Sequence, residues 1–183
     1  MKLAIVIAMG LICQAAWAET AAKDHYLALT KLQGDWKLAP ADQQEGGTTK
    51  KGPAAKLLGT DGTAMSFKVI GKGSTVQENL LPGTAKEMAT MYHCDDFETC
   101  TQVKATHYCA KQNQPQLVLN ASGSSANVLS MTCDASTALC NSDEGHVHGI
   151  THELSDDGNL KTTYTIFHKG RFQKNSIYHF VRK

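Results

Sequence analysis

The chain has 183 residues, with 18 basic against 17 acidic side chains and a formal net charge of +1. A near-neutral chain without a basic run excludes an electrostatic case for nucleic acid or anionic lipid as partner; Lys50-Lys51 and Arg182-Lys183 are isolated pairs. The length suits one domain.

Met1-Lys2 supplies a positive start, and Leu3 to Cys13 is apolar apart from Gly10. Ala16-Trp17-Ala18 then puts small residues at the two positions a signal peptidase reads. That order predicts a secretory signal over residues 1–18, cleaved after Ala18. The mature domain over 19–183 is then periplasmic or secreted, and without Lys2 its charges balance at zero. A lipidated Cys13 is the rival, and it fits poorly because bulky Ile12 stands where a small residue is expected. The apolar run is shorter than the roughly 20 residues of a spanning helix, and no later stretch approaches that length. No membrane span is expected.

Tyr26, Leu29 and Leu32 recur at three-residue steps and predict a helix over 21–32, stopped by Gly34. Residues 39–56 lack both the helical and the strand period and are expected to form a mobile loop. Met65, Phe67 and Val69 alternate with Ser66 and Lys68, as in a half-buried strand, and Gly71-Lys72-Gly73 turns it into 75–81. Further strands are expected near 87–94, 101–110, 115–120, 127–133, 146–154, 160–168 and 175–182. Turn residues such as Asp156-Asp157-Gly158-Asn159 and Lys169-Gly170 separate them. Strands in this cadence predict a closed antiparallel barrel, which removes exposed edges; an open sandwich is the alternative.

Five cysteines remain after the signal, so an oxidising compartment leaves pairs plus one thiol. Cys94 and Cys100 bracket one turn-like stretch and Cys133 and Cys140 another, a spacing suited to bridges at hairpin necks. Cys109 is then free. A longer link from Cys109 to Cys133 or Cys140 is the other possibility. Neither pair has the close spacing of a structural zinc site.

Gly34-Asp35-Trp36, directly after the helix, resembles the G-x-W signature opening the first strand of lipocalin-like (calycin) barrels, where the Trp closes one end. A longer order is more specific: Pro82-Gly83, then 87–93 ending in Met91-Tyr92-His93, Thr106-His107-Tyr108-Cys109, Asn113-Gln114-Pro115 and His146-Val147-His148-Gly149, with Arg182-Lys183 closing the last strand. It resembles a family of largely uncharacterised bacterial secreted proteins over roughly residues 65–183. The resemblance implies an all-β, antiparallel, lipocalin-like barrel of about eight to ten strands with a short N-terminal helix, and implies no established activity. The Cys94–Cys100 and Cys133–Cys140 positions depart from the family pattern and look like stabilising additions.

Histidine placement carries the functional expectation. Strand residues two apart share a face, which groups His146, His148, Ile150, His152 and Leu154. The same rule puts His107 with Val103, Ala105 and Cys109, and His93 with Ala89 and Met91, all apolar company. A hairpin through 95–99 would bring His93 and His107 together inside a barrel, with His146 or His148 joining from across the cavity. Converging imidazoles suit zinc, copper or haem iron, so His93, His107, His146 and His148 form the candidate metal set. The plainer alternative holds each histidine neutral through a hydrogen bond to Tyr92, Tyr108 or Thr106.

Other chemistry is thin. Cys109 shares a face with His107, but a lone buried cysteine is commonly an inert small hydrophobe. Glu78, beside Val76, Leu80 and Leu81, is expected as strand-face solvation, and His25, His168 and His179 as ordinary surface or strand positions. No G-x-S-x-G elbow, phosphate-cradling loop or H-E-x-x-H helix occurs, and no catalytic residue is assigned. The leading expectation is an exported small-molecule-binding barrel with a histidine-lined cavity. His93, His107 and His148 would make polar contacts and Met91, Tyr92 and Tyr108 would form the wall. Two other classes stand beside it: a metal- or haem-binding protein or enzyme using the interior histidines, and a ligand-free envelope interaction module with a filled barrel.

Overall fold

The computed structural model describes residues 22–183; the signal sequence expected over 1–18 and its cleavage after Ala18 lie outside the described residues. Helix α1 (22–30) buries Ala22, Tyr26 and Leu29 and exposes Lys23, Asp24 and Leu27, so one stripe packs inward. Its C-terminal carbonyls find a dedicated partner. The Arg182 guanidinium donates to the carbonyl oxygens of Gln33 (2.6 Å) and Lys31 (2.7 Å) and stands 4.1 Å over the Trp36 ring. Trp36 donates from its indole N–H to Leu32 O at 3.0 Å. Gly34 sits at φ 127°, and a Cβ there would stand 2.9 Å from Arg182 Nη1, so only glycine fits this junction.

Ten strands follow: β1 (Gly34–Leu38), β2 (Met65–Ile70), β3 (Thr75–Leu80), β4 (Met88–Cys94), β5 (Val103–Tyr108), β6 (Gln116–Leu119), β7 (Val128–Cys133), β8 (His146–Leu154), β9 (Leu160–His168) and β10 (Arg171–Arg182). Each pairs antiparallel with its neighbours in sequence, and β1 closes the circle on β10. The result is the closed antiparallel barrel that the strand cadence predicts, with α1 at the end that holds the β2–β3, β4–β5, β6–β7 and β8–β9 turns. Trp36, Met65, Leu80, Leu117, Met131, Ile150, Leu160 and Phe180 are fully buried and fill much of the interior.

Residues 39–56 differ from the expected mobile loop. They form two 3-10 turns and a second helix, α2 (Gly52–Leu57), with Thr49 and Ala54 buried. The cause is a length mismatch, since β10 has 12 residues and β1 only 5. Backbone groups of β10 past the end of β1 need other partners. Gln44 supplies them, donating to His179 O (2.8 Å) and accepting from His179 N (3.2 Å), and Thr48 Oγ1 accepts from Ile177 N (3.0 Å).

Disulfides join Cys94 to Cys100 and Cys133 to Cys140, with Cα atoms 5.0 and 5.7 Å apart. They close loops at opposite ends of the barrel and leave Cys109 as the free thiol among the described residues, as the spacing predicts. No helix among the described residues is long and apolar enough to cross a membrane. The two disulfides fit an extracellular or periplasmic protein.

Candidate functional site

Strand register builds a polar row inside the barrel. Glu78 on β3 pairs with Thr90 on β4, which pairs with His107 on β5. Residues directly opposite share a face, and all three are sealed from solvent. From the far wall, His152 on β8 stands opposite Thr162 on β9, and Tyr164 opposite Ile150. Tyr92 reaches in from β4. Glu78 lies at the centre: Tyr92 donates to Oε2 at 2.6 Å, Tyr164 donates to Oε1 at 2.5 Å, and His152 Nε2 stands 3.1 Å from Oε2. His152 Nε2 is also 3.0 Å from the Tyr92 hydroxyl, and its Nδ1 is 3.0 Å from Thr162 Oγ1.

Burial disfavours a charge on Glu78, but His152 first, then the Tyr164 and Tyr92 hydroxyls, outweigh it and hold the carboxyl below its ordinary range. The two tyrosines are pushed well above theirs, by burial and then by the charge of Glu78, so they stay protonated and donate. His107 is pushed down to about 4 by burial, against which the charge of Glu78 works. Its Nδ1 lies 2.8 Å from Thr90 Oγ1, and its Nε2 has no hydrogen-bond partner among the described residues. A buried orphan acceptor is tolerated better than an orphan N–H, which assigns the proton to Nδ1. Thr90 then accepts from His107 and donates to Glu78 at 3.4 Å.

This network opens to one cavity. Between α1 and the β7–β9 rim lies a space of about 160 Å³ walled by Leu29, Leu32, Leu129 and Leu160, with His25 at its side and His152 lining it. His152 therefore belongs to both the sealed network and the cavity. A wider groove of about 520 Å³ runs along the other side of α1, by Tyr26, Leu27 and Phe97. It touches no member of the network, and its one charged group, Lys23 Nζ, is bound to Glu98 O at 3.0 Å.

The residues expected at the site are divided among three places. Tyr92 and His107 are inside. His93, Met91 and Tyr108 are on the outer face: His93 is exposed and bonds its neighbour's carbonyl, Cys94 O, at 2.8 Å, Met91 is half-buried, and Tyr108 is 49% exposed. The correction has a simple origin. Both faces of β4 carry apolar groups, and it is Thr90, Tyr92 and Cys94 that turn inward. His93 and His107 consequently do not meet; their partners across the β4–β5 ladder are Lys104 and Thr90. His146 and His148 lie at the barrel end opposite α1, so the four candidate metal ligands are not brought together. A bulge between Val147 and Gly149 also breaks the alternation that grouped all the β8 histidines on one face.

Glu78 is the larger correction: expected in solvent, it is the centre of the interior. The signal was present in period two, since Val76, Glu78 and Leu80 share one face and the two aliphatics are fully buried. The same rule groups His152 with the buried Ile150.

At the opposite end, His146 Nδ1 is 2.8 Å from Glu144 O and its Nε2 is 3.0 Å from His148 Nδ1. His148 stacks on Phe167 with ring centroids 3.9 Å apart, and burial, then His146, hold its pKa down. Cys133 Sγ completes a group whose three donor atoms lie within 4.8 Å of one another.

Comparison with protein families, curated proteins and solved structures finds no match.

Proposed function

We propose that the protein is an exported small-molecule-binding β-barrel whose site is the cavity between α1 and the β7–β9 rim. The observation that carries this reading is His152, which lines a mostly apolar pocket, with Lys31, Ser125 and Asn127 at its edge, on one side and is held by a buried acid on the other. A histidine paired with a buried acid and reaching a cleft is a functional-site candidate. Both His152 ring nitrogens are engaged, by Thr162 and by Glu78 with Tyr92. What His152 offers a ligand is therefore ring surface, with the half-buried His25 imidazole at the side. The space is open to solvent on one side, and at about 160 Å³ it has room for one small molecule. The ligand class is a compact, mainly apolar molecule carrying one polar group. Export rests on the signal-like residues 1–18 and on the two disulfides.

Methyl-resolved NMR titration with indole tests the site. The Leu29, Leu129 and Leu160 methyls should shift saturably, and Ala28→Phe, which fills the cavity from α1, should abolish the shifts without unfolding the barrel. Shifts that persist unchanged in A28F, or that map to the Leu27–Phe97 groove, would overturn the assignment.

A further inference from the structure

We propose a second site at the far end of the barrel: a thiol-gated zinc site made by His146, His148 and Cys133, opened when the Cys133–Cys140 disulfide is reduced. It is independent of the cavity under α1.

His146 supplies the fixed ligand. Its Nδ1 faces the Glu144 carbonyl oxygen at 2.8 Å, an acceptor only, so Nδ1 carries the proton and Nε2 carries the lone pair. That is the outer-shell arrangement that orients a metal-binding histidine. The Nε2 lone pair points at His148 Nδ1, 3.0 Å away. Two imidazole nitrogens on a tetrahedral zinc at about 2.0–2.1 Å stand about 3.3 Å apart. The pair therefore needs to open by a few tenths of an ångström and each ring to swing its lone pair by roughly 35° off the shared line, so that both converge on the metal. His146 is buried and His148 is half-buried against Phe167, so one ligand is anchored and the other reaches solvent.

Cys133 decides when the site is complete. In the disulfide its sulfur is uncharged and a poor ligand, whereas a thiolate binds zinc at about 2.3 Å. Its Sγ already lies within 4.8 Å of one ring nitrogen on each histidine, and release from Cys140 frees its side chain to turn to another rotamer. The reductant is a dithiol. It transfers two electrons and two protons to the Cys133–Cys140 bond, which breaks to two thiols, and leaves as its own disulfide. Zinc then bonds Cys133 Sγ, His146 Nε2 and His148 Nδ1; the Cys133 proton goes to solvent, and the proton shared by the two rings moves to His148 Nε2, so both imidazoles stay neutral. A water fills the fourth position, the open arrangement of three-ligand sites.

Cys140→Ser frees Cys133 without any reductant, and Cys109→Ser in the same chain prevents re-pairing. Titration with zinc against a chromophoric chelator should give one tight site in C109S/C140S. Oxidised wild type should bind at least 10–100-fold more weakly, the range that even loss of an outer-shell partner produces. Cobalt(II) in C109S/C140S should show a thiolate-to-metal charge-transfer band that vanishes in C109S/C133S/C140S. His148→Phe, which keeps the stack on Phe167 and hence the fold, should weaken zinc to a similar degree. Equal zinc affinity in C109S/C140S and C109S/C133S/C140S, or a cobalt complex without the thiolate band, would overturn the proposal.

Discussion

Glu78 and His152 meet at 3.1 Å inside the barrel, with 1% and 2% of their side chains in contact with solvent. An acid so placed costs several kcal/mol to desolvate. It is held by a partner on the far side of the barrel and by two tyrosine hydroxyls, so the network ties β3 and β4 to β8 and β9 through the interior. Removing one member leaves the rest uncompensated.

His152→Phe should therefore destabilise the protein by about 3–5 kcal/mol, the typical cost of orphaning one partner of a buried pair. In a Glu78→Gln background, where no charge needs the imidazole, the same change should cost less. The coupling between the two positions should be about 1–3 kcal/mol. Urea unfolding of the four proteins at pH 7 checks this, and additive costs would dissolve the pair as a unit.

Stability should fall in acid through two groups of the same sign. The folded pKa of His107 is about 4, below the ordinary 6.5. Between those values the unfolded chain binds the proton and the folded chain does not. The contribution is thus full above about pH 6.5 and is lost as pH falls to about 4, an amount on the order of 3 kcal/mol. Glu78, also lowered, adds stability that is present above its ordinary 4.5 and lost as pH falls through its folded value. Thermal melts from pH 7 to pH 4 should show a smaller decline in His107→Gln than in wild type; parallel declines would remove His107 as the cause.

Gly34→Ala should destabilise by about 1–3 kcal/mol, since φ 127° is unfavourable for any L side chain and the new Cβ would press on Arg182. Arg182→Ala should relieve the contact but release the Lys31 and Gln33 carbonyl oxygens and the Trp36 ring. Greater hydrogen exchange in α1 of both variants, measured by mass spectrometry, is the expected signature.

Cys109 should alkylate slowly at neutral pH in the folded protein, because burial raises the thiol above its ordinary value. Non-reducing peptide mapping should recover the Cys94–Cys100 and Cys133–Cys140 links. Removing either as a double alanine variant should cost about 2 kcal/mol for so short a loop. Rapid labelling of Cys109 would revive it as a reactive thiol.

The barrel was legible because period two and turn residues are local signals. The stretches 75–81, 87–94, 146–154 and 160–168 became β3, β4, β8 and β9 with ends moved by at most a residue. Which face of β4 turns inward was not local: Ala89 and Met91 are as apolar as the face that Tyr92 heads, and the register with Glu78 and His107 decides it. Residues 39–56 have no period because they follow the unpaired length of β10, a tertiary requirement invisible in their own composition. Glu78 obeyed the alternation, and was misplaced because a lone acid is usually solvated; its partner His152 is 74 positions away.

Native mass spectrometry on protein taken from its own compartment, compared with the denatured mass, tests the central claim most directly. The account predicts an excess mass of one small organic molecule in wild type, lost on denaturation and absent from A28F. A native mass equal to the chain with two disulfides, together with no saturable indole shift at Leu29, Leu129 and Leu160, would contradict it and favour a filled barrel acting through its surface.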